Sequence, residues 1–379
     1  MKTNGMVWFD DMVKQCYAEA QSFKQRGVPI VGIMCEYTPR ELILAAGAKP
    51  VCLCGGDVKM IPAAEKTLPA NLCPLVKSTF GYSVNQANPF LEMASLVVAE
   101  TTCDGKKKMF ERLAERHPMH VLELPQKARD PDALVRWTQE LRKLRAVLEA
   151  RFSVTITDDA LRDAIRLMNR ERRLRLALAQ TLRDDAPPLS GRELLDLKSL
   201  FACLPDDLAA YESILSELPS RHTAERPDPA NVRVLLTGVP IPHCAERVMD
   251  LLEGDRATVV CQENCTGIKP LLEEVDETAA DPLAALAEFY YHLPCSVLTP
   301  NRDRLDKLER LAAEYRAECI VELVWHACLT YDVESAYTRE LAARLGLPYL
   351  KIETDYSPSD DARLALRIGA LYETVRASR

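Results

Sequence analysis

Cysteine is the residue type that most constrains the chemistry of this chain, with thirteen copies among 379 residues. Seven stand where a thiol can serve as a ligand. Cys35, Cys54 and Cys103 close short β-rich runs, Cys328 follows another, and Cys265 lies just past a fifth; Cys73 sits in a proline-flanked loop and Cys295 follows Pro294. Soft thiolate donors suit zinc or iron–sulfur clusters. The spacing excludes two common arrangements. With no CxxC pair, Cys52/Cys54 and Cys261/Cys265 lack the second knuckle of a zinc ribbon, and the compact CxxCxxC run of ferredoxins is missing. What remains is a cluster held by dispersed cysteines, or a set of small buried hydrophobes. Taken singly, Cys35 or Cys54 fits the second description. Cys16, Cys203 and Cys244, in helical or pre-helical stretches, are expected to be buried filler.

Cys103 has the most informative setting. In ETTCDGKKKMFE a strand ends, Asp104-Gly105 turns and a helix begins, so free N–H groups and a positive dipole end lie beside the thiol. Lys106 and Lys107, with Lys108, either steady a negative thiolate-ligated cluster or form a solvated basic turn. Proton donors are harder to single out. His326, two residues before Cys328, shares its face if the strand extends that far; the bland alternative is a hydrogen-bonded core histidine. Glu353 and Asp355, beside Tyr356, end the last β-rich run and either face a crevice or cap a helix beginning near Ser359. Glu36 and Tyr37 follow Cys35 and are candidates to line the same pocket.

The elements that would position these groups alternate in a regular way. VPIVGIMC (28–35), KPVCLC (49–54), SLVVAETTC (95–103) and MHVLELP (119–125) predict four strands, with helical patterns between them, one starting near Pro39. VRVLLTG (232–238), TVVCQE (258–263), CIVELVW (319–325) and PYLKIETDY (348–356) repeat that rhythm. Short β-rich runs separated by helices predict parallel βαβ units, and hence an α/β chain of two Rossmann-like domains, residues 1–130 and 229–379. Residues 131–228 differ. They hold two long helical patterns dense in Arg/Glu pairs, with Asp158 and Asp159 at an N-cap and Pro187-Pro188 as the stop, followed by the proline-rich linker ERPDPANVR. This stretch is expected to be a helical connector without chemistry of its own. In open α/β sheets ligands bind at the carboxyl ends of strands, so thiols dispersed over some 300 residues would converge on one crevice between the domains.

Composition narrows the function classes. With 48 basic and 56 acidic residues the chain is mildly acidic, and its longest basic run is the Lys106–Lys108 triplet, which argues against nucleic-acid binding. No run approaches the ~18 apolar residues of a membrane helix, and Asp10-Asp11 interrupts the region a signal peptide would need. A cytoplasmic protein is expected, in which cysteines bind metal rather than form disulfides.

The motifs CEYTPRELILAAGAKPVCLCGG, LPANLCPLVKS and VVAETTCDGKKKMFE, followed by LLTGVPI, ENCTG, LPCSVLTPN, WHACLTYDVES and IETDYSPSD, resemble the 2-hydroxyacyl-CoA dehydratase/benzoyl-CoA reductase superfamily. The resemblance spans nearly the whole chain and is weakest across residues 131–220. ENCTG and LPCS look like its double-cubane cluster branch. In the dehydratases a [4Fe–4S] cluster is held by three cysteines whose positions match Cys73, Cys103 and Cys328. In the double-cubane branch a bridging sulfide joins two cubanes into an [8Fe–9S] cluster, leaving three thiolates for each. The resemblance then implies Cys265 and Cys295 as further ligands and Cys35 or Cys54 as the sixth, with Cys35 preferred. It also implies a homodimer that reduces small molecules such as acetylene, azide or hydrazine. Electrons would come from a separate ATP-hydrolysing [4Fe–4S] activator, and this chain has no G-x4-G-K-[ST] loop of its own for ATP. The alternative within the resemblance is a 2-hydroxyacyl-CoA dehydratase subunit with a single [4Fe–4S] cluster.

Overall fold

The computed structural model describes residues 3–221, 226–254 and 256–379. All eight expected strands are present, as β1 (Ile30–Ile33), β2 (Lys49–Cys52), β3 (Leu96–Glu100), β4 (Met119–Leu122), β5 (Val232–Gly238), β6 (Ala257–Glu263), β7 (Cys319–Trp325) and β8 (Tyr349–Thr354). They form two all-parallel four-stranded sheets, ordered β2-β1-β3-β4 and β6-β5-β7-β8. The two domains therefore share one topology. In each, the chain steps outward from a central strand, returns across it and continues the other way. The crevice at that reversal, between β1 and β3 or between β5 and β7, opens at the carboxyl ends of the strands. Helices cover both faces, so β1, β3, β6 and β7 are buried along their whole length.

The connector is built on the helices Pro131–Phe152 and Asp158–Gln180. Thr157, not Asp158 or Asp159, caps the second: its hydroxyl accepts from the Ala160 N–H at 3.1 Å, and the two aspartates fall in the first turn. That helix yields to a 3-10 turn at Thr181–Arg183, ahead of Pro187-Pro188. Phe201 pairs antiparallel with Val51, and the Cys52 N–H donates to Leu200 O at 2.8 Å, so the connector covers the open edge of β2. Residue 225 of the expected linker lies outside the described residues.

A buried ionic core orders the second domain. Arg304, fully buried, donates to Glu334 at 2.6 Å and lies 3.4 Å from both Glu263 and Glu322, while the Lys269 ammonium is 3.3 Å from Glu263. These bonds tie the end of β6 to β7 and to the helix Leu329–Arg344. Gly267 completes the turn after β6, where a Cβ would stand 2.1 Å from Gln262 O. Only glycine lets the chain fold back so closely behind Cys265.

Candidate functional site: a cysteine-lined cavity

A cavity of about 850 Å³ lies where the carboxyl ends of both sheets meet the connector. Eight cysteines line it: the seven singled out above, and Cys52. Cys73, Cys103 and Cys328 each occupy the N-cap position of a helix, Pro74–Val84, Asp104–Leu113 and Leu329–Arg344. Proline at the first turn fixes the start of one, and another begins at Asp104 directly after Cys103, so the turn expected at Asp104-Gly105 is the first turn of the helix itself. Three positive dipole ends thus surround these thiols.

Electrostatic coupling groups the thiols into two adjoining sets. Cys73 is held below its ordinary value by a hydrogen bond from Cys328, which is itself pushed up, and it feels the charge of Cys103. Cys103 is raised by burial, with the nearby Cys328 and Cys295 adding repulsion. Cys35 is raised well above the usual thiol range by burial, with Cys265 and Cys295 adding repulsion. Cys265 is pushed up to about 12, again mainly by burial, with Cys295 beside it. Cys73, Cys103 and Cys328 group as one triad and Cys35, Cys265 and Cys295 as the other, and the two adjoin where Cys103 also feels Cys295. Cys54 lies within electrostatic reach of Cys35, but its thiol is directed at Met34 O at 3.5 Å and bonded to Cys52, which that bond lowers to about 7. Among the described residues, no three His, Cys, Asp or Glu side chains converge closely enough to hold a single metal ion. Thiolates that each take a different iron of a cluster stand farther apart than ligands sharing one ion.

The basic turn divides. Lys106 reaches into the cavity wall and donates to Met34 O at 2.7 Å. Burial disfavours its charge, yet Cys35, Cys54, Cys103 and Glu100 around it push its pKa upward. Lys107 does not line the cavity; half exposed, it pairs with Asp104 at 3.1 Å. The expected acids fall outside as well. β7 ends at Trp325, and Ala327 turns through a φ of 60°, so the alternation that would put His326 on the face of Cys328 stops short. His326 is exposed, 4.0 Å from Asp355. Glu353 is exposed on β8 beside Lys351, and Asp355 accepts from the Ser357 N–H in a turn. Cys244 is exposed rather than buried, while Cys16 and Cys203 are buried.

Other cavity groups lay outside the sequence reading. Tyr331, three residues past Cys328, lines the cavity and accepts from the buried Lys269 ammonium at 2.7 Å. Trp325 lines it too, its indole N–H held by Pro240 O at 3.0 Å. The connector supplies Met168, Glu171, Arg172, Arg175 and Lys198, and so shapes the site it was expected only to support. Behind the wall, Glu100 is fully buried with one oxygen bonded by Thr38 and the other unpartnered; burial raises it to about 7. The i,i+3/i+4 pattern of Asp158–Gln180 marked a helix, and nothing local marked which face met the thiols.

Comparison with known proteins gives a consistent picture. YjiM of Escherichia coli (strain K12), whose name marks it as a candidate dehydratase subunit, is 40% identical over 372 residues, 96% of each chain. The (R)-phenyllactyl-CoA dehydratase beta subunit of Clostridium sporogenes is 25% identical over 361 residues, 93% of each chain. A benzoyl-CoA reductase subunit of Thauera aromatica is 23% identical over 308 residues, 79% of this chain and 77% of its own. No helix of the described residues is long and apolar enough to cross a membrane. The family model described as 2-hydroxyglutaryl-CoA dehydratase, D-component, matches residues 35–375, from the first cavity cysteine to the last helix, and the chain belongs to that family.

Proposed function

We propose that this chain is the cluster-bearing catalytic component of a low-potential reductive enzyme, with a double-cubane [8Fe–9S] cluster on six cysteines. The observation that carries the reading is the convergence of six dispersed thiols, Cys73, Cys103 and Cys328 with Cys35, Cys265 and Cys295, on one cavity. Two cubanes joined by a sulfide need three thiolates each. Cys35 is favoured over Cys54 because it sits within electrostatic reach of Cys265 and Cys295, whereas the Cys54 thiol is engaged by Cys52 and Met34 O. The donor set suits the group: soft thiolates, three helix N-termini and the buried Lys106 ammonium all offset the negative charge of such a cluster.

When bound, the cluster would supply electrons at very low potential. The chain's own residues would set its surroundings. Lys106 stabilises thiolate charge on the Cys35 and Cys103 side. Trp325 and Tyr331 exclude water, and the Tyr331 hydroxyl, oriented by Lys269, is the group placed to hold a proton at the cavity wall. Small-molecule reduction, a homodimer, a cytoplasmic setting and electron delivery by a separate ATP-hydrolysing [4Fe–4S] protein belong to the same reading. The dehydratase names of the relatives favour a second reading, a 2-hydroxyacyl-CoA dehydratase subunit with one [4Fe–4S] cluster on Cys73, Cys103 and Cys328.

Iron and acid-labile sulfide per chain, after strictly anaerobic purification, test the two. Roughly eight irons support the double cubane and roughly four the single one, while zinc or no metal overturns both.

A further inference from the structure

Where the connector closes the cavity, the wall changes character. Arg40, from the helix Arg40–Ala45, meets Arg172 and Arg175, from the connector helix Asp158–Gln180. The two helices pack against each other, and Arg40 repels both connector arginines, although, despite burial, Glu41 and Tyr290 raise Arg172, and Tyr211 and Glu171 raise Arg175. Three cations gathered on a half-buried wall are costly unless anions offset them. Glu41, Glu36 and Glu171 do so in part. Arg172 is fully engaged, with Glu41 at 2.6 Å, Asn169 at 2.9 Å and Tyr290 at 3.2 Å, and its guanidinium lies 4.4 Å from the Phe289 ring.

Arg40 and Arg175 are not so fully engaged. Arg40 is bonded through one Nη to Glu36 at 2.9 Å, and Arg175 through one Nη to Glu171 at 3.3 Å, a long contact. The other Glu171 oxygen is taken by the Cys203 N–H at 2.6 Å. A guanidinium offers five donors in a planar fork, so each of these two keeps most of its capacity, and both line the cavity. Apolar Met168, Leu200, Phe289 and Leu293 line the same cavity. Two forks beside an apolar surface match the planar carboxylate of an organic acid with a short apolar body.

We propose that Arg40 and Arg175 form a subsite for a small free carboxylate, holding its charged end on the connector side of the cavity and leaving its body to face the triads. This rests on the proposed function for its meaning, because it makes the substrate one that carries a free carboxylate rather than an uncharged gas-like molecule. The subsite itself does not depend on a cluster being present.

Calorimetric titration of the anaerobically purified chain with propionate and benzoate, and with propionamide and benzamide, tests it without an activity assay. One saturable site per chain for the acids, and none for the amides, is expected. Arg40→Gln and Arg175→Gln should each weaken acid binding roughly ten- to a hundred-fold, and Arg40→Lys should fall between because it keeps charge and loses the fork. Equal binding of acid and amide, or no saturable acid binding, overturns the proposal on the unaltered chain, whether or not the variants fold. Acid binding unchanged in folded Arg40→Gln and Arg175→Gln also overturns it. Iron measured on the same samples separates the two ideas: acid binding without iron sinks the cluster, and iron without acid binding sinks the subsite.

Discussion

Replacing Glu100 with glutamine should make this protein's stability less dependent on pH, in a direction the fold dictates. Glu100 ends β3, is fully buried, and has one oxygen bonded by Thr38 and one without a partner. Burial raises its pKa from 4.5 to about 7. The folded chain therefore keeps this proton over a range where the unfolded chain has released it, and folding stability must fall as pH rises through that range. Two and a half pH units at about 1.36 kcal/mol each give a loss of about 3 kcal/mol between pH 4.5 and pH 7, and no further loss above. Glutamine removes the titration while its carbonyl still accepts from Thr38. In urea unfolding of the metal-freed chain, Glu100→Gln should lie within about 1 kcal/mol of the parent at pH 4.5 and gain about 3 kcal/mol on it by pH 8. A constant difference across that range would mean that Glu100 is ionised in the fold, balanced by Lys106 and Arg40, and the burial argument would be wrong.

Three further expectations follow from other parts of the molecule. Cys35→Ser, Cys265→Ser or Cys295→Ser should each lower the iron content of the anaerobic protein, whereas Cys52→Ser and Cys54→Ser should leave it near the parent value; iron loss in Cys54→Ser but not in Cys35→Ser would reverse the choice of sixth ligand. Arg304→Met should destabilise the chain by about 3–5 kcal/mol in urea, because Glu263, Glu322 and Glu334 lose their shared cation in the interior; a loss below about 1 kcal/mol would refute that role. His243 is raised to about 9 by hydrogen bonds with Cys244 and Glu246, and Glu246 is lowered, despite burial, to about 2 by His243 and Lys198. The histidine's contribution should be complete below about pH 6.5 and fade as pH rises toward 9, that of the glutamate complete above about 4.5 and fade toward pH 2. Glu246→Gln should accordingly bring the His243 titration, followed by NMR, back toward neutrality.

The strands were legible because each is a compact β-rich run bounded by turn residues, and their parallel pairing follows from the helices between them. The positions of seven cavity cysteines were legible for the same reason, since a thiol at a strand's carboxyl end or a helix start goes to the crevice. His326 failed because the alternation argument needs a strand that continues to Cys328, and β7 stops at Trp325. Lys107 failed because adjacent residues on a helix point about 100° apart, so only Lys106 of the pair could turn inward. The connector was misjudged most. Periodicity reports that Arg172 and Arg175 belong to a helix, but not that the helix lies across an opening made by residues distant in the chain.

That placement changes how the cavity works. Sheets alone would leave the two triads at the mouth of an open cleft, reachable by water and by any small reductant or oxidant. The connector packs along the edge of β2, through Phe201 on Val51, and lines that side of the cavity with guanidinium groups as well as apolar surface. A wall serving only to exclude water would be built more simply from leucine, since three arginines there need Glu36, Glu41 and Glu171 to offset them. Retaining charge on the connector side of the cavity makes sense if something anionic enters and is held by its charged end, so that its reactive atoms face the triads. The chain's two sheets would then decide where electrons arrive, and its connector would decide what receives them.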